Sequence, residues 1–245
     1  VTNFGDYFIP GIDPGQATGA TEPTSLALLS PPASGPYGTP ASFSAQLTTA
    51  TAQDGDPAGI AGQVVEFGLG SQRRAAITDA SGIATVQFPL IGLVQQDLLR
   101  ATFAGSAQYQ QSSTEAPFTI VKQTTSLAVE PVPAAGQYSD NSNLQATLIA
   151  GGNRPMSQRS VFFVAGTPAE SLSATASVIT DYAGRAPAGP IDLPAGAYPV
   201  TAYFLGVIPV GGGQTVTLTD SRFLASTGAG QLVQTAENAT ITYTG

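Results

Sequence analysis

Two short stretches that share a Thr-Asp pair and a glycine decide the fold of this chain: "AITDASGIAT" at 75–84 and "VITDYAGRAP" at 178–187. In both, the glycine follows the aspartate by three positions, and apolar residues lie on either side. Aspartate bonds the backbone of tight turns, and glycine adopts a positive φ at little cost. The pattern predicts that Asp79 and Asp181 each hold a turn between two strands. The alternative is a calcium-binding or catalytic role for these carboxylates.

The sequence around these stretches repeats as well. Copies of one module occur in the same order with offsets between 97 and 102 residues, which indicates an internal duplication. The VVEF block aligns at an offset of 97, and the others at 101 or 102. The matched blocks are 25–28 with 126–129, 35–37 with 136–138, 43–47 with 144–148, 64–67 with 161–164, 78–79 with 180–181 and 100–105 with 201–206.

Within each copy, apolar and polar residues alternate over short runs that are separated by turn-forming residues. A period of two is typical of a strand with one buried face, and several such runs per copy favour an antiparallel sandwich. The stretch 90–101 has passable helical spacing, but its end reads better as a strand, and 207–216 is predicted to be an extended loop. The residues expected to face a core are Phe43, Ala45, Leu47, Leu99, Ala101, Phe103, Val200, Ala202, Phe204, Ile241 and Tyr243.

The composition excludes several kinds of chemistry. The chain has no Cys and no His, and Lys122 is its only lysine, so disulfides, thiolate ligands and the usual nucleophilic triads are excluded. A formal net charge of −8 argues against a nucleic-acid partner and against docking on anionic lipid. No run of 18 apolar residues exists, so we expect no membrane insertion. We therefore predict that the chain is not an enzyme and uses no cofactor.

A few residues remain as candidate sites. Asp54 and Asp56 stand one residue apart and offer oxygens to calcium, although a solvated loop is the simpler interpretation. Lys122 is the one candidate for an isopeptide bond. The tyrosines expected on exposed loops, where a carbohydrate or receptor could contact them, are Tyr109, Tyr182 and Tyr198.

The repeated motifs resemble the tandem bacterial Ig-like repeat domains of secreted and cell-surface proteins, over about residues 24–245. The resemblance implies an all-β fold, two tandem Ig-like antiparallel β-sandwiches, with no shared catalytic residues. Such domains typically act as spacers or binding modules. The motifs that carry it in the first copy are Ser25–Leu28, Tyr37–Gly38, Ala45, Leu47, Gly62–Phe67, Thr78–Ala84 and Ala101–Gly105.

Residues 1–23 have no counterpart in the second copy and form an N-terminal extension, followed by predicted Ig-like domains at 24–122 and 123–245. The extension is either a linker packed on its own domain or a strand donated to a neighbouring subunit. Without an initiator Met or a basic leader, we expect a processed chain or part of a longer protein. The candidate assembly residues are Val1, Phe4, Tyr7, Phe8 and Ile9.

These observations favour a non-enzymatic extracellular structural protein, a subunit or segment of a bacterial surface stalk, layer or filament. Its expected partners are copies of itself or other surface proteins. One alternative is an adhesin module that binds carbohydrate or a receptor. Another is an accessory, non-catalytic region of a secreted hydrolase.

Overall fold

The structure, a computed structural model, describes residues 21–50, 58–138, 140–166, 174–211 and 213–237. Regular structure in these ranges consists of β-strands, which confirms the predicted all-β class. The described ranges contain no helix long and apolar enough to cross a membrane.

The chain divides into two compact units. Of the described residues, unit 1 takes those up to Ala33 together with Pro40–Pro89 and Gln96–Phe118, and unit 2 takes Ser34–Thr39, Leu90–Gln95 and those from Thr119 onward. Three short segments of the first sequence copy thus belong to unit 2. The domain boundaries at 24–122 and 123–245, which follow the sequence repeat, stay a prediction.

The strands of the first sequence copy form two sheets. One has the order β1-β3-β6 and the other the order β2-β8-β7-β4-β5. β3 pairs antiparallel with β1 and β6, and β4 pairs antiparallel with β5 and β7, whereas β2 runs parallel to the end of β8. The bounds are β1 (Thr24–Leu28), β2 (Ser34–Pro36), β3 (Pro40–Thr49), β4 (Val64–Leu69), β5 (Gln72–Ile77), β6 (Ile83–Pro89), β7 (Gln96–Phe103) and β8 (Ser112–Val121).

The second copy repeats this layout. One sheet contains β12-β11-β15 with β9 paired to β11, and the other has the order β10-β19-β16-β13-β14. β10 runs parallel to β19, as β2 does to β8. The bounds are β9 (Thr125–Glu130), β10 (Ala134–Gln137), β11 (Gln145–Ala150), β12 (Arg154–Pro155), β13 (Ser160–Ala165), β14 (Ala174–Ile179), β15 (Arg185–Pro187), β16 (Gly196–Phe204), β17 (Gly206–Gly211), β18 (Gln214–Leu218) and β19 (Ser226–Thr235). The fold is therefore two tandem Ig-like β-sandwiches.

Burial follows the predicted alternation. The inward residues of β3, β7 and β16 are almost completely buried, while their neighbours in sequence are half-buried or exposed. In unit 1, Phe43 packs edge to face with Phe118 at a centroid distance of 5.1 Å. In unit 2, Phe163 and Phe204 belong to a core that also contains Leu148. Ile241 and Tyr243 lie outside the described residues.

The sequence alignment of β4 with β13 at an offset of 97 is wrong by one residue. Phe67 lies opposite Ala101, and Phe163 lies opposite Ala202, so the equivalent phenylalanines are 96 apart. A shift of one residue along a strand exchanges its two faces. Phe162 is only half-buried, whereas Phe163 is fully buried, which is the face assignment that the offset of 96 requires.

Two further predictions concern stretches whose sequence is not clearly that of a strand. The end of 90–101 is a strand, β7, as its final residues predicted. The prediction of an extended loop at 207–216 is wrong, because β17 and β18 pair there as an antiparallel hairpin. The glycines of this stretch are typical of a loop, but glycine is equally common in hairpins.

Candidate interaction surface

The two acid-glycine stretches form the same turn. Asp79 Oδ1 accepts from the backbone N–H groups of Ser81 at 2.8 Å and Ile83 at 2.9 Å. Asp181 Oδ1 accepts from those of Ala183 and Arg185, both at 2.8 Å. In each copy the carboxylate therefore satisfies two backbone donors of its own bend, as the turn interpretation predicted.

The threonine before each aspartate is buried and also bonds the backbone. Thr78 Oγ1 accepts from Gln63 N at 2.9 Å. Thr180 Oγ1 accepts from Arg159 N at 3.0 Å and donates to Met156 O at 2.6 Å. The hydroxyls thus tie the turn to the segment before β4 in one unit and before β13 in the other.

The glycine of each stretch occupies a position that no other residue fits. Gly82 has φ +76° and Gly184 has φ +75°, in the left-handed region where L side chains are strained. A Cβ on Gly82 would collide with the carbonyl oxygen of Leu47, and one on Gly184 with that of Leu148. Leu47 also donates its N–H group to Gly82 O, and Leu148 donates its N–H group to Gly184 O. Each glycine therefore joins its turn to a neighbouring strand, β3 in unit 1 and β11 in unit 2.

The structure does not assemble a metal centre from these acids. Asp79 lies in unit 1 and Asp181 in unit 2. Within the described ranges no three His, Cys, Asp or Glu side chains are grouped to hold a metal ion. Asp54 and Asp56 lie outside the described residues, as do the candidate assembly residues of the N-terminal extension.

The three candidate tyrosines differ in how much of the side chain is exposed to solvent. Tyr182 stands at the bend made by Asp181 and is 90% exposed. Tyr109 and Tyr198 are half-buried, and the Tyr198 hydroxyl donates to Pro194 O at 2.9 Å. Only Tyr182 of these three offers most of its ring to solvent.

Unit 1 has a charged groove of about 390 Å³ on the outer face of β5, β4 and β7. Its floor contains Gly68, and Glu66 lies 3.7 Å from Arg73 on its rim. Arg100, also on the rim, pairs with Glu115 at 2.8 Å. Because these ion pairs are exposed, they contribute little to stability, and Asp97 adds a further carboxylate to the lining of the groove.

The most distinctive surface is the hairpin β17–β18, which lies between β16 and β19 where the first copy has only a short connection. Ile208 is buried, while Val207, Val210 and Val216 are 58%, 39% and 44% exposed. Among the described strands, β17 and β18 pair only with each other. The hairpin thus projects β-branched side chains into solvent.

The base of the hairpin is fixed by Asp220, just after β18. Its Oδ1 accepts from Arg222 N at 2.6 Å and Phe223 N at 3.1 Å, and its Oδ2 lies 3.7 Å from Arg159. Lys122, the isopeptide candidate, donates Nζ to Asp220 O at 2.7 Å. The candidate surface therefore consists of a hairpin that is anchored at Ile208 and Asp220 and exposes Val207, Val210 and Val216.

No protein-family model and no curated protein matches the sequence. Among solved structures, the chain is similar to the Clostridium thermocellum CbhA fibronectin(III)-like modules, with 14% identity, a TM-score of 0.28, and coverage of 89% of this chain and 100% of that chain. It is also similar to invasin, a bacterial integrin-binding protein, with 20% identity, a TM-score of 0.43, and coverage of 80% and 39%.

A third similar structure is the Yersinia pseudotuberculosis adhesin InvE, with 12% identity, a TM-score of 0.34, and coverage of 80% of this chain and 58% of that chain. The chain thus spans less than two thirds of the invasin and InvE chains. At these TM-scores the three likenesses establish neither an activity nor a binding partner for this chain.

Proposed function

We propose that the chain is a non-enzymatic structural protein of the bacterial cell surface, a subunit or segment of a stalk, layer or filament. The observation that carries this proposal is the shared bonding of Asp79 and Asp181. The motif that the chain repeats is used in both copies to close a turn against the neighbouring strand. A duplicated sandwich with duplicated internal bonds suits a spacer, whose work is mechanical.

The composition supports an extracellular setting. Charged residues are only 10% of the chain and Lys122 is its single lysine, so the surface consists mainly of uncharged polar and small residues. Partners would be other copies of the chain or other surface proteins. The N-terminal residues Val1, Phe4, Tyr7, Phe8 and Ile9 would donate a strand to such a neighbour if the extension does not serve as a linker.

Electron microscopy of the purified chain tests this function. We expect ordered filaments or layers, and we expect antibodies against the chain to label intact cells of the source organism. A uniformly dispersed chain without ordered assemblies, or one confined to the cytoplasm, would contradict the proposal. Deletion of residues 1–20 separates the two roles of the extension: lost assembly means strand donation, and unchanged assembly means a linker.

A second function, an adhesin module that binds carbohydrate, is favoured by the exposure of Tyr182. A tyrosine ring that is 90% exposed on a rigid turn is suited to stacking against a sugar ring. A glycan array tests this directly. Binding that is lost in Tyr182→Ala but kept in Tyr109→Ala would establish it, and the absence of any bound glycan would reject it.

A further inference from the structure

We infer that the hairpin β17–β18 is a self-association element, through which β18 pairs antiparallel with β18 of a second copy across a two-fold axis. The inference rests on the proposed structural function and names one of the contacts that such an assembly would use. The resulting sheet would have four strands, in the order β17-β18 of one copy followed by β18-β17 of the other.

The first observation is that the hairpin is incomplete as a sheet. An isolated two-stranded sheet is marginally stable in water, and three or more strands are needed for independent stability. Within the described part of the chain, β18 has β17 on one side and no paired strand on the other. An unpaired edge of this kind presents backbone N–H and C=O groups to any strand that can reach it.

The second observation is that the two edges of the hairpin are not equivalent. Proline blocks pairing because it has no N–H group, and β17 contains Pro209. β17 also lies beside β13 and β14, where its Ile208 is buried. β18 contains no proline and no charged residue, so it lacks the features that usually prevent edge pairing.

The third observation is that the sequence of β18 suits antiparallel pairing with a second copy of itself. Thr215-Val216-Thr217 reads the same in both directions, so antiparallel pairing centred on Val216 sets Val216 against Val216 and Thr215 against Thr217. Threonine pairs and β-branched pairs directly opposite one another are favourable in antiparallel sheets. A two-fold contact must be self-complementary in this way.

The fourth observation concerns charge. Copies of a chain with a net charge of −8 repel one another wherever acidic residues meet. Between Arg185 and Asp220 the only ionisable acid or base among Asp, Glu, Lys and Arg is Asp192. β18 therefore belongs to an uncharged segment, 193–219, so pairing β18 with β18 sets no charged side chains of the two strands against each other.

Disulfide cross-linking of single-cysteine variants tests the contact, and no native cysteine can form a competing disulfide because the chain has none. Opposed residues in an antiparallel pair have Cα atoms about 4.5–5.5 Å apart, within the range of about 4.4–6.8 Å that a disulfide spans. We expect Val216→Cys in the full chain to form a disulfide-linked dimer under mild oxidation.

The matched control is Val207→Cys, which lies on the outer strand and is at least as exposed. In the four-stranded sheet its two copies would be at least about 14 Å apart, which is three strand spacings, so no disulfide should form. Equal cross-linking of the two variants, or none of Val216→Cys, would overturn the inference.

A charge-complementation experiment tests the same contact reversibly. Val216→Lys and Val216→Glu each place like charges across the two-fold axis, so each variant should sediment as a monomer at concentrations where the wild type is a dimer. An equimolar mixture should recover the dimer, which also shows that both variants are folded. If both variants stay dimeric, or if the mixture stays monomeric, the two-fold contact is not at Val216.

The outcomes separate this inference from the proposed function. Filaments or layers that persist in Val216→Lys, together with no Val216→Cys cross-link, would refute the hairpin contact and leave the structural function standing. A specific Val216→Cys cross-link in a protein that forms only dimers and is cytoplasmic would support the contact and refute the structural function. Loss of assembly in Val216→Lys without a Val216→Cys cross-link would mean that another segment pairs with β18, which also overturns the inference.

Discussion

Asp79 and Asp181 accept equivalent backbone N–H groups, two and four residues ahead, at distances that agree to within 0.1 Å. They belong to different units and lie in copies whose sequences have otherwise diverged. A carboxylate with its Oδ1 bound by two N–H groups of its own turn is committed to that turn. The agreement between the copies is therefore the clearest sign that the motif is architectural.

The first prediction concerns these carboxylates. Asp181→Ala removes two charge-assisted hydrogen bonds and should lower the free energy of unfolding of its unit by about 1–2 kcal/mol. Asp181→Asn keeps a side-chain oxygen as acceptor and should cost less than the alanine variant. Calorimetry measures both. An alanine variant with unchanged melting temperature would show that the turn does not need the side chain.

The second prediction concerns the glycine of the turn. Gly82→Ala combines a left-handed backbone with a collision against Leu47 O and should cost at least about 2 kcal/mol. Gly62→Ala is the matched control, because Gly62 has φ +74° and no atom within 4 Å of an added Cβ. It should show the backbone cost alone, about 1–2 kcal/mol, and so less than Gly82→Ala. Equal losses in denaturant titrations would mean that close packing against β3 is unimportant.

The third prediction separates the two buried threonines. Thr180→Val leaves the Met156 carbonyl and the Arg159 N–H without the hydroxyl, and it should destabilise unit 2 by about 1–3 kcal/mol. Thr78→Val removes the one bond to Gln63 N and should cost less. Thr180→Ser retains the hydroxyl as a control. The order of the three melting temperatures checks the prediction, and a larger loss for Thr78→Val would contradict it.

The fourth prediction tests the corrected register of β13. Phe163 is fully buried, so Phe163→Ala should cost about 3–5 kcal/mol. Phe162 faces outward and is half-buried, so Phe162→Ala should cost clearly less. Both variants replace a phenylalanine with alanine, so the difference between their stabilities shows which of the two side chains faces the core. A larger loss for Phe162→Ala than for Phe163→Ala is what the offset of 97 predicts, and it would contradict the corrected register.

Much of this fold could be predicted because its local signals agree. Alternation marked the inward faces of β3, β7 and β16, and the repeated Asp and Gly marked the turns. The register of β13 could not be predicted, because "SVFFVA" has apolar residues on both faces and its alternation is lost. Only pairing with β16 distinguishes Phe163 from Phe162.

The hairpin β17–β18 was missed for a related reason. Its glycines and Pro209 are typical of loops, and the short alternation at Thr215–Leu218 is too brief to read alone. The charged groove of unit 1 was missed because β7, which supplies Asp97 and Arg100, is distant in sequence from the consecutive strands β4 and β5. Surfaces assembled by tertiary pairing leave little local signal, whereas a turn carries its signal within a few residues.

The most direct test of the central claim is to image the Asp79→Asn, Asp181→Asn double variant beside the wild type by electron microscopy. If the aspartates only close turns, the amide oxygens still accept the backbone hydrogen bonds, and the double variant should form the same assemblies. A variant that keeps its fold by circular dichroism but loses assembly would show that the carboxylate charge acts on something outside the turn, and the structural account would be wrong.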